Sequence, residues 1–237
     1  MKLKKIIVLL TTVCILGGLV ACGENKTNDV DKNNVETQGD ETVNGSEDKE
    51  NENVQSTEIT LEVLLEHEAT PEEDFMCSGT DTEQYINVYK GSDEIVVIPE
   101  TISGLPVTVV DGYTFANDSS VKALKFADSI KTIGQSVCGL NNNLQIVVCG
   151  TNLETIGAGV FQMCESLEEV QLNEGLKTIE DWAFSNCTSL KELYIPSSVE
   201  YISFSAFIGT ELTIFGEAGS YVETFCTENE IKFEAVE

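Results

Sequence analysis

LEEVQLNEGLKTIEDWAFSNCTSLKELYIPSSVEYISFSAF, from Leu167 to Phe207, states one pattern nearly twice at a spacing of 23 residues. Leu167, Val170, Leu172, Leu176, Ile179, Ala183 and Phe184 return as Leu190, Leu193, Ile195, Val199, Ile202, Ala206 and Phe207. At Leu193 and Ile195 the apolar residues alternate, which predicts a short strand buried on one side. A second extended piece is expected near Val199 to Ile202, and EDWAFSN (Glu180 to Asn186) predicts a tight turn of helix. Traced backwards, the same columns reach Ile156, Ile133 and Val110, and Phe161, Cys138 and Phe115. A fixed period of this length marks stacked repeats, each of which buries its apolar side only against its neighbours.

Both ends of the stack are legible. Gly216 and Gly219 mark a turn after Leu212 to Phe215, and Ser220 with Glu223 forms a capping box that opens a helix through about Glu228. Ile231 to Val236 reads as a last strand. At the other end Thr60 caps a short helix over Leu61, Leu64 and Leu65, which Pro71 prevents from continuing. Strands near Phe75 to Cys77 and Tyr85 to Tyr89 then lead into Ile95 to Ile98, the first turn of the stack.

Three blocks carry a family resemblance: LKELYIPSSVEYISFSAF (Leu190 to Phe207), LEEVQLNEGLKTIEDWAFSNC (Leu167 to Cys187) and IPETISGLPVTVVDGYTF (Ile98 to Phe115). Together they resemble the BspA-like leucine-rich repeats of bacterial surface proteins, over roughly Phe75 to Glu237. The resemblance implies an α+β repeat solenoid with a 23-residue period, a parallel sheet on one face and a cap at each end. The second repeat departs from the pattern, with Val137-Cys138 in place of Ala-Phe and Asn141 to Asn143 in the cysteine-containing turn, and looser packing is expected there.

The chain opens with Lys2, Lys4 and Lys5, an apolar run from Ile6 to Val20, and LVAC (Leu19 to Cys22). About 15 apolar residues are too few for a bilayer crossing, so this reads as an export signal. LVAC closely resembles the bacterial lipobox, which implies cleavage after Ala21, lipidation of Cys22 and an outward-facing anchor at the cell membrane. Gly23 to about Thr57 is rich in Asn, Asp, Glu, Thr and Lys and is expected to be a disordered tether. Its random-coil span is on the order of 30 Å. The expected organisation is therefore signal 1–21, lipidated Cys22 and acidic tether 22–57, N-terminal cap and first turn 58–105, repeats 106–211 and C-terminal cap 212–237.

Charge limits the partners. The chain has 41 acidic residues, 13 lysines and no arginine, and loss of the signal takes the formal charge from −28 to −31. Such a surface repels phosphate backbones and lacks the guanidinium fork, so nucleic acid is excluded as a partner. An enzyme is not expected either. His67 is the one histidine, and a nucleophile pair would rest on it alone. Glu72-Glu73-Asp74 is an acidic run without a calcium-loop pattern, and no glycine-rich phosphate loop occurs, so neither metal nor cofactor is expected. Of the eight cysteines, Cys14 belongs to the signal and Cys22 to the lipid. Cys164 and Cys187 share a column and Cys149 fills the slot of Leu172 and Ile195; free buried thiols are favoured there over a Cys164–Cys187 bond.

In the LxxLxL strands the residues between the buried ones point outward. They form the columns Ala123, Ile146, Glu169, Glu192 and Lys125, Val148, Gln171, Tyr194. Ile146, Val148 and Tyr194 then make an apolar strip edged by Glu169, Glu192, Gln171 and Lys125, the expected contact surface for a protein ligand. The functional expectation is a monomeric, lipid-anchored protein-binding module, with adhesion or host-protein contact implied by the resemblance. The alternatives are an envelope scaffold with partners in its own cell and an acid-dependent hydrolase.

Overall fold

A computed structural model describes residues 59–236. The signal, Cys22 and the tether lie outside the described residues. The N-terminal cap holds α1 (Leu61–Glu66), β1 (Phe75–Gly79) and β2 (Gln84–Tyr89). The stack follows with β3 (Ile95–Val97), β4 (Thr101–Ile102), β5 (Leu105–Val110), β6 (Ala123–Lys125), β7 (Thr132–Ile133) and β8 (Ile146–Val148). It continues through β9 (Thr155–Ile156), β10 (Glu169–Gln171), β11 (Thr178–Ile179), β12 (Glu192–Tyr194) and β13 (Tyr201–Ile202). The C-terminal cap comprises β14 (Thr213–Glu217), α2 (Tyr221–Glu228) and β15 (Lys232–Val236).

The repeats run as two parallel ladders and one side of turns. One ladder joins β2, β5, β7, β9, β11 and β13, and Val110, Ile133, Ile156, Ile179 and Ile202 pair in register along it. The other joins β3, β6, β8 and β10, and is continued by the separate sheet β12-β14-β15. Parallel strands of neighbouring repeats lie about 4.8 Å apart, which is why a column of equivalent residues becomes a continuous contact. In the cap, β1 runs antiparallel to β2.

The predicted turn of helix after each two-residue strand does not form. Alternate amide groups bond across to the next repeat, as in Phe161 N to the Ala183 carbonyl (2.8 Å) and Phe184 N to the Ala206 carbonyl (2.9 Å), and those between them bond three residues back, as in Ser185 N to the Trp182 carbonyl (3.0 Å). Left-handed backbone angles recur in two columns of the turns, Tyr113, Ser136, Gly159, Trp182 and Asn117, Leu140, Met163, Asn186, Gly209. The left-handed kinks bend the chain around the stack while keeping its polar groups aimed along it, so the interior i to i−4 pattern of a helix is never completed.

The core is one column-built cluster. Phe161, Phe184 and Phe207 stack face to face, with centroids 5.2 and 5.5 Å apart, and Phe225 of α2 closes the column at 6.5 Å. On the other side Phe115, Tyr89 and Phe75 form the matching ladder, at 5.4 and 5.5 Å. Cys138 separates the two, yet the second repeat is not loosely packed as its sequence suggests. Val137, Cys138 and Asn141 are fully buried. Asn141 donates to the Phe115 carbonyl (3.5 Å) and accepts from Leu144 N (3.1 Å). Among the described residues no buried side-chain nitrogen or oxygen lacks a partner.

Both caps match their sequence signals. Thr60 accepts from Val63 N at the start of α1. Ser220 accepts from Glu223 N, while the Glu223 carboxylate accepts from Gly219 N (2.6 Å). α2 buries Val222, Phe225 and Cys226 against the last repeat.

Candidate partner-binding surface

The outward columns of the three-residue strands are where a contact strip was expected, and the structure divides them. Ile146 and Val148 are on the outer side of β8, but they are only 7% and 6% exposed. With Ala123, Val97 and Leu64 they form a second apolar cluster, separate from the core, against which Ile59, Leu61 and Ile95 also pack. The cover is α1, whose Leu64 is fully buried, and its downstream end is pinned where Thr70 exchanges hydrogen bonds with Val97. Ile146 and Val148 are therefore not available to a partner. Strand alternation fixes which side of a sheet a residue faces, and says nothing about whether a segment distant in sequence lies over that side.

The rest of that surface is polar. Glu169 and Glu192 are exposed, Gln171 and Lys125 are half-buried, and Tyr194 lies at the exposed edge with its hydroxyl 3.5 Å from Glu174. The apolar strip ends where the α1 cover ends.

The bare apolar residues are on the turn side. Tyr113, Leu140, Met163, Trp182, Phe204 and Ile208, half of the large apolar side chains exposed among the described residues, all belong to the turns that follow β5, β7, β9, β11 and β13. Trp182 is 49% and Phe204 79% exposed. The backbone beneath them is fixed. Asp181 accepts hydrogen bonds from Ser203 and from Ser205 (3.1 Å), and Ser203 and Ser205 are buried, which leaves Phe204 between them facing out. Met163 N bonds the Ser185 carbonyl (2.8 Å) and Asn186 N the Ile208 carbonyl (2.9 Å). Trp182 holds φ at 56°, in a column where the preceding repeat places Gly159 at 62°. A non-glycine residue in that region costs about 1–2 kcal/mol, and an exposed aromatic there recovers little of it by packing. The sequence signal for this face was the break in column identity, Gly159 against Trp182 and Asp181 against Phe204, which periodicity alone passes over.

Charge on this side is of one sign. The turns 111–120, 134–143, 157–166, 180–189 and 203–212 contain Asp111, Asp118, Glu165, Glu180, Asp181 and Glu211 and not one lysine. The nearest ammonium is that of Lys191, which reaches the edge at the Thr188 carbonyl (2.6 Å).

Three cysteines, Cys138, Cys164 and Cys187, line the same turns from inside. Cys77, Cys138, Cys149, Cys164, Cys187 and Cys226 are all unbonded to one another. The Cys164 thiol donates to the Cys138 carbonyl (3.1 Å), and the Cys187 thiol to the Phe161 carbonyl (3.0 Å). Thr210 in the same column donates to the Phe184 carbonyl (2.6 Å), and Asn141 does so to Phe115. The column thus selects a small hydrogen-bond donor and not only a small apolar volume. Burial pushes the Cys149 and Cys187 thiols up to about 12, which keeps them protonated and unreactive.

The residues considered for chemistry are dispersed. His67 is exposed, with Nδ1 3.0 Å from the Glu68 carbonyl. Glu72 accepts from Ser103 N (2.9 Å), tying the acidic run to the β4–β5 turn. No group of three His, Cys, Asp or Glu converges as a metal site among the described residues.

The fold and its columns agree with comparison to known proteins. The model of the BspA type leucine rich repeat region matches residues 98–225 in 6 copies, and the chain belongs to that family. Among solved structures, the leucine rich repeat protein of T. pallidum is 29% identical with a TM-score of 0.61, over 62% of this chain and 71% of that one. A leucine rich cell surface protein from Faecalibacterium prausnitzii A2-165 is 22% identical with a TM-score of 0.48, over 64% of this chain and 51% of that one. This chain thus spans about half the length of the second. No curated protein matches this chain.

Proposed function

We propose that this chain is a lipid-anchored module of a bacterial cell surface that binds another protein through the open sides of its repeats, adhesion or host-protein contact being the form the family resemblance favours. The observation that carries the reading is the set of large apolar side chains held bare on a hydrogen-bonded backbone, with Trp182 and Phe204 at its centre. Rigid exposed aromatics offer contact area at little entropic cost on binding, and Trp and Tyr are the residue types that most often dominate interface energy. The covered sheet face adds nothing to it, and the polar remainder around Glu169, Gln171, Glu192 and Tyr194 is the competing surface. The anchor rests on LVAC and Cys22.

Capture of partners from envelope and host extracts, using the full-length chain and its Trp182→Asn, Phe204→Ser and Tyr194→Ala variants, tests the reading. Loss of the same captured protein with the first two variants, and not with Tyr194→Ala, is expected. Capture that survives both would remove the turn side from consideration, and the source of the captured protein separates host contact from a role within the envelope. Acyl labelling tests the anchor: Cys22→Ser loses the label and leaves the membrane fraction.

A further inference from the structure

Whatever docks on the turn side meets apolar side chains and carboxylates, and the ammonium of Lys191 only at one edge, on the Thr188 carbonyl. In five successive turns the chain places no lysine, although lysines occur between them, at Lys122, Lys125, Lys131, Lys177 and Lys191. Lys122 and Lys177 are drawn off into ion pairs with Glu94 (2.5 Å) and Glu200 (3.3 Å). The carboxylates Glu165, Asp181 and Glu211 are exposed beside Met163, Trp182 and Ile208. This is the electrostatic and chemical complement of lysine and arginine side chains, which carry an apolar stem that lies along aliphatic or aromatic surface and a charged head that seeks carboxylates or a ring face. The same argument removes other occupants. A second copy carries the same formal charge of −28 before processing and repels the first, and anionic lipid and nucleic acid are repelled likewise.

Resting on the protein-binding reading above, we propose that the turn side is a docking surface for a cationic protein segment, with Trp182 and Phe204 as its aromatic platform and Glu165, Asp181 and Glu211 as its counter-charges. Asp181 has a double part: the hydrogen bonds from Ser203 and Ser205 hold one oxygen while they splay Phe204 outward, and its other oxygen remains for the partner. Trp182 follows Asp181 directly in the chain, and both side chains are exposed. The left-handed backbone at Trp182 is the cost of that placement.

The probe is a short fluorescein-labelled peptide in which Lys and Arg alternate with Gly and Leu, with two counterparts that carry Glu or Ser at every cationic position. Fluorescence anisotropy is read with the full-length chain and with Phe204→Ser, Trp182→Asn and Tyr194→Ala. Asn is chosen at Trp182 because the chain itself uses it in left-handed positions, at Asn117 and Asn186. The cationic peptide should bind in a salt-sensitive way, weaken by about tenfold or more with either turn-side variant, and be unaffected by Tyr194→Ala. Melting curves of the variants should stay near that of the parent. Equal binding by parent and turn-side variants would reveal diffuse attraction to an acidic protein and overturn the proposal, as would no binding at all. Turn-side binding that favours the Ser or Glu peptide would leave a protein-binding face and refute its cationic partner. If none of the three peptides depends on the turn side, and sedimentation shows a dimer that Phe204→Ser dissolves, the face is instead a self-association surface and both readings fall.

Discussion

The outer side of β8 and the turn side of the fourth and fifth repeats both carry large apolar residues at positions that face away from the core. At β8, Ile146 and Val148 lie beneath α1 and are fixed parts of the fold. On the turns, no segment among the described residues lies over Trp182 and Phe204, and their backbone is held from below by Ser203, Ser205 and Asp181. Direction within a repeat is set by local geometry, whereas exposure is set by whatever else the chain brings to that surface. An apolar residue on an outward column calls for a cover, and at β8 that cover is the chain's own α1.

The largest expected effect comes from the core on which both sides are built. Phe184 is fully buried between Phe161 and Phe207, so Phe184→Ala should cost about 3–5 kcal/mol and lower the melting temperature severely. An unchanged melting curve would contradict the stacked column and with it the placement of both surfaces. Next comes the cover. Leu64→Ala removes the one fully buried side chain of α1, and large-to-small changes of this kind cost about 2–5 kcal/mol when the whole fold depends on them. A six-residue helix is marginal by itself, so α1 should detach, expose Ile146 and Val148 and raise binding of a hydrophobic dye. If dye binding does not rise, the helix is not what hides them.

The thiols give a pH test of the interior. Burial raises Cys149 and Cys187 to about 12 from an ordinary 9.0. A folded-state value raised above the unfolded one contributes stability that is complete below the unfolded value and is lost as pH rises through the folded one. Melting temperature should therefore be insensitive to these groups below pH 9 and fall between about pH 9 and pH 12. Alkylation of the native protein at pH 8 should reach Cys77, the half-buried thiol, ahead of the five buried ones; rapid labelling of Cys164 or Cys187 would mean that the turn side opens. The smallest effect on stability belongs to the bare surface. Phe204→Ser should change stability by no more than about 0.5 kcal/mol, which is the behaviour that separates it from Ile146→Ser, a substitution that places a hydroxyl under α1.

Much of the fold was legible because a solenoid repeats its information. The period fixed the columns from Val110 to Ile202 and from Phe115 to Phe207, and the cap signals at Thr60 and Ser220 fixed both helix starts. The third side was misread as a turn of helix because Ala-Phe-Ser-Asn sequences suit a helix locally, while the inter-repeat hydrogen bonds that hold the turns exist only between repeats. Asn141 was read as a defect because its column was judged by volume; its hydrogen bond to Phe115 shows a donor requirement shared with Cys164, Cys187 and Thr210.

By itself the sequence determined which residues stack on which, since a fixed 23-residue period places equivalent side chains one strand spacing apart, and it determined the acidic, arginine-free composition. Only the tertiary structure decided which outward residues meet solvent. Leu64 of α1 packs in one cluster with Ile146 and Val148, a contact that no local pattern encodes, and among the described residues no such segment crosses the turn side. Burial is a property of every atom near a residue, and periodicity describes only the neighbours that repeat.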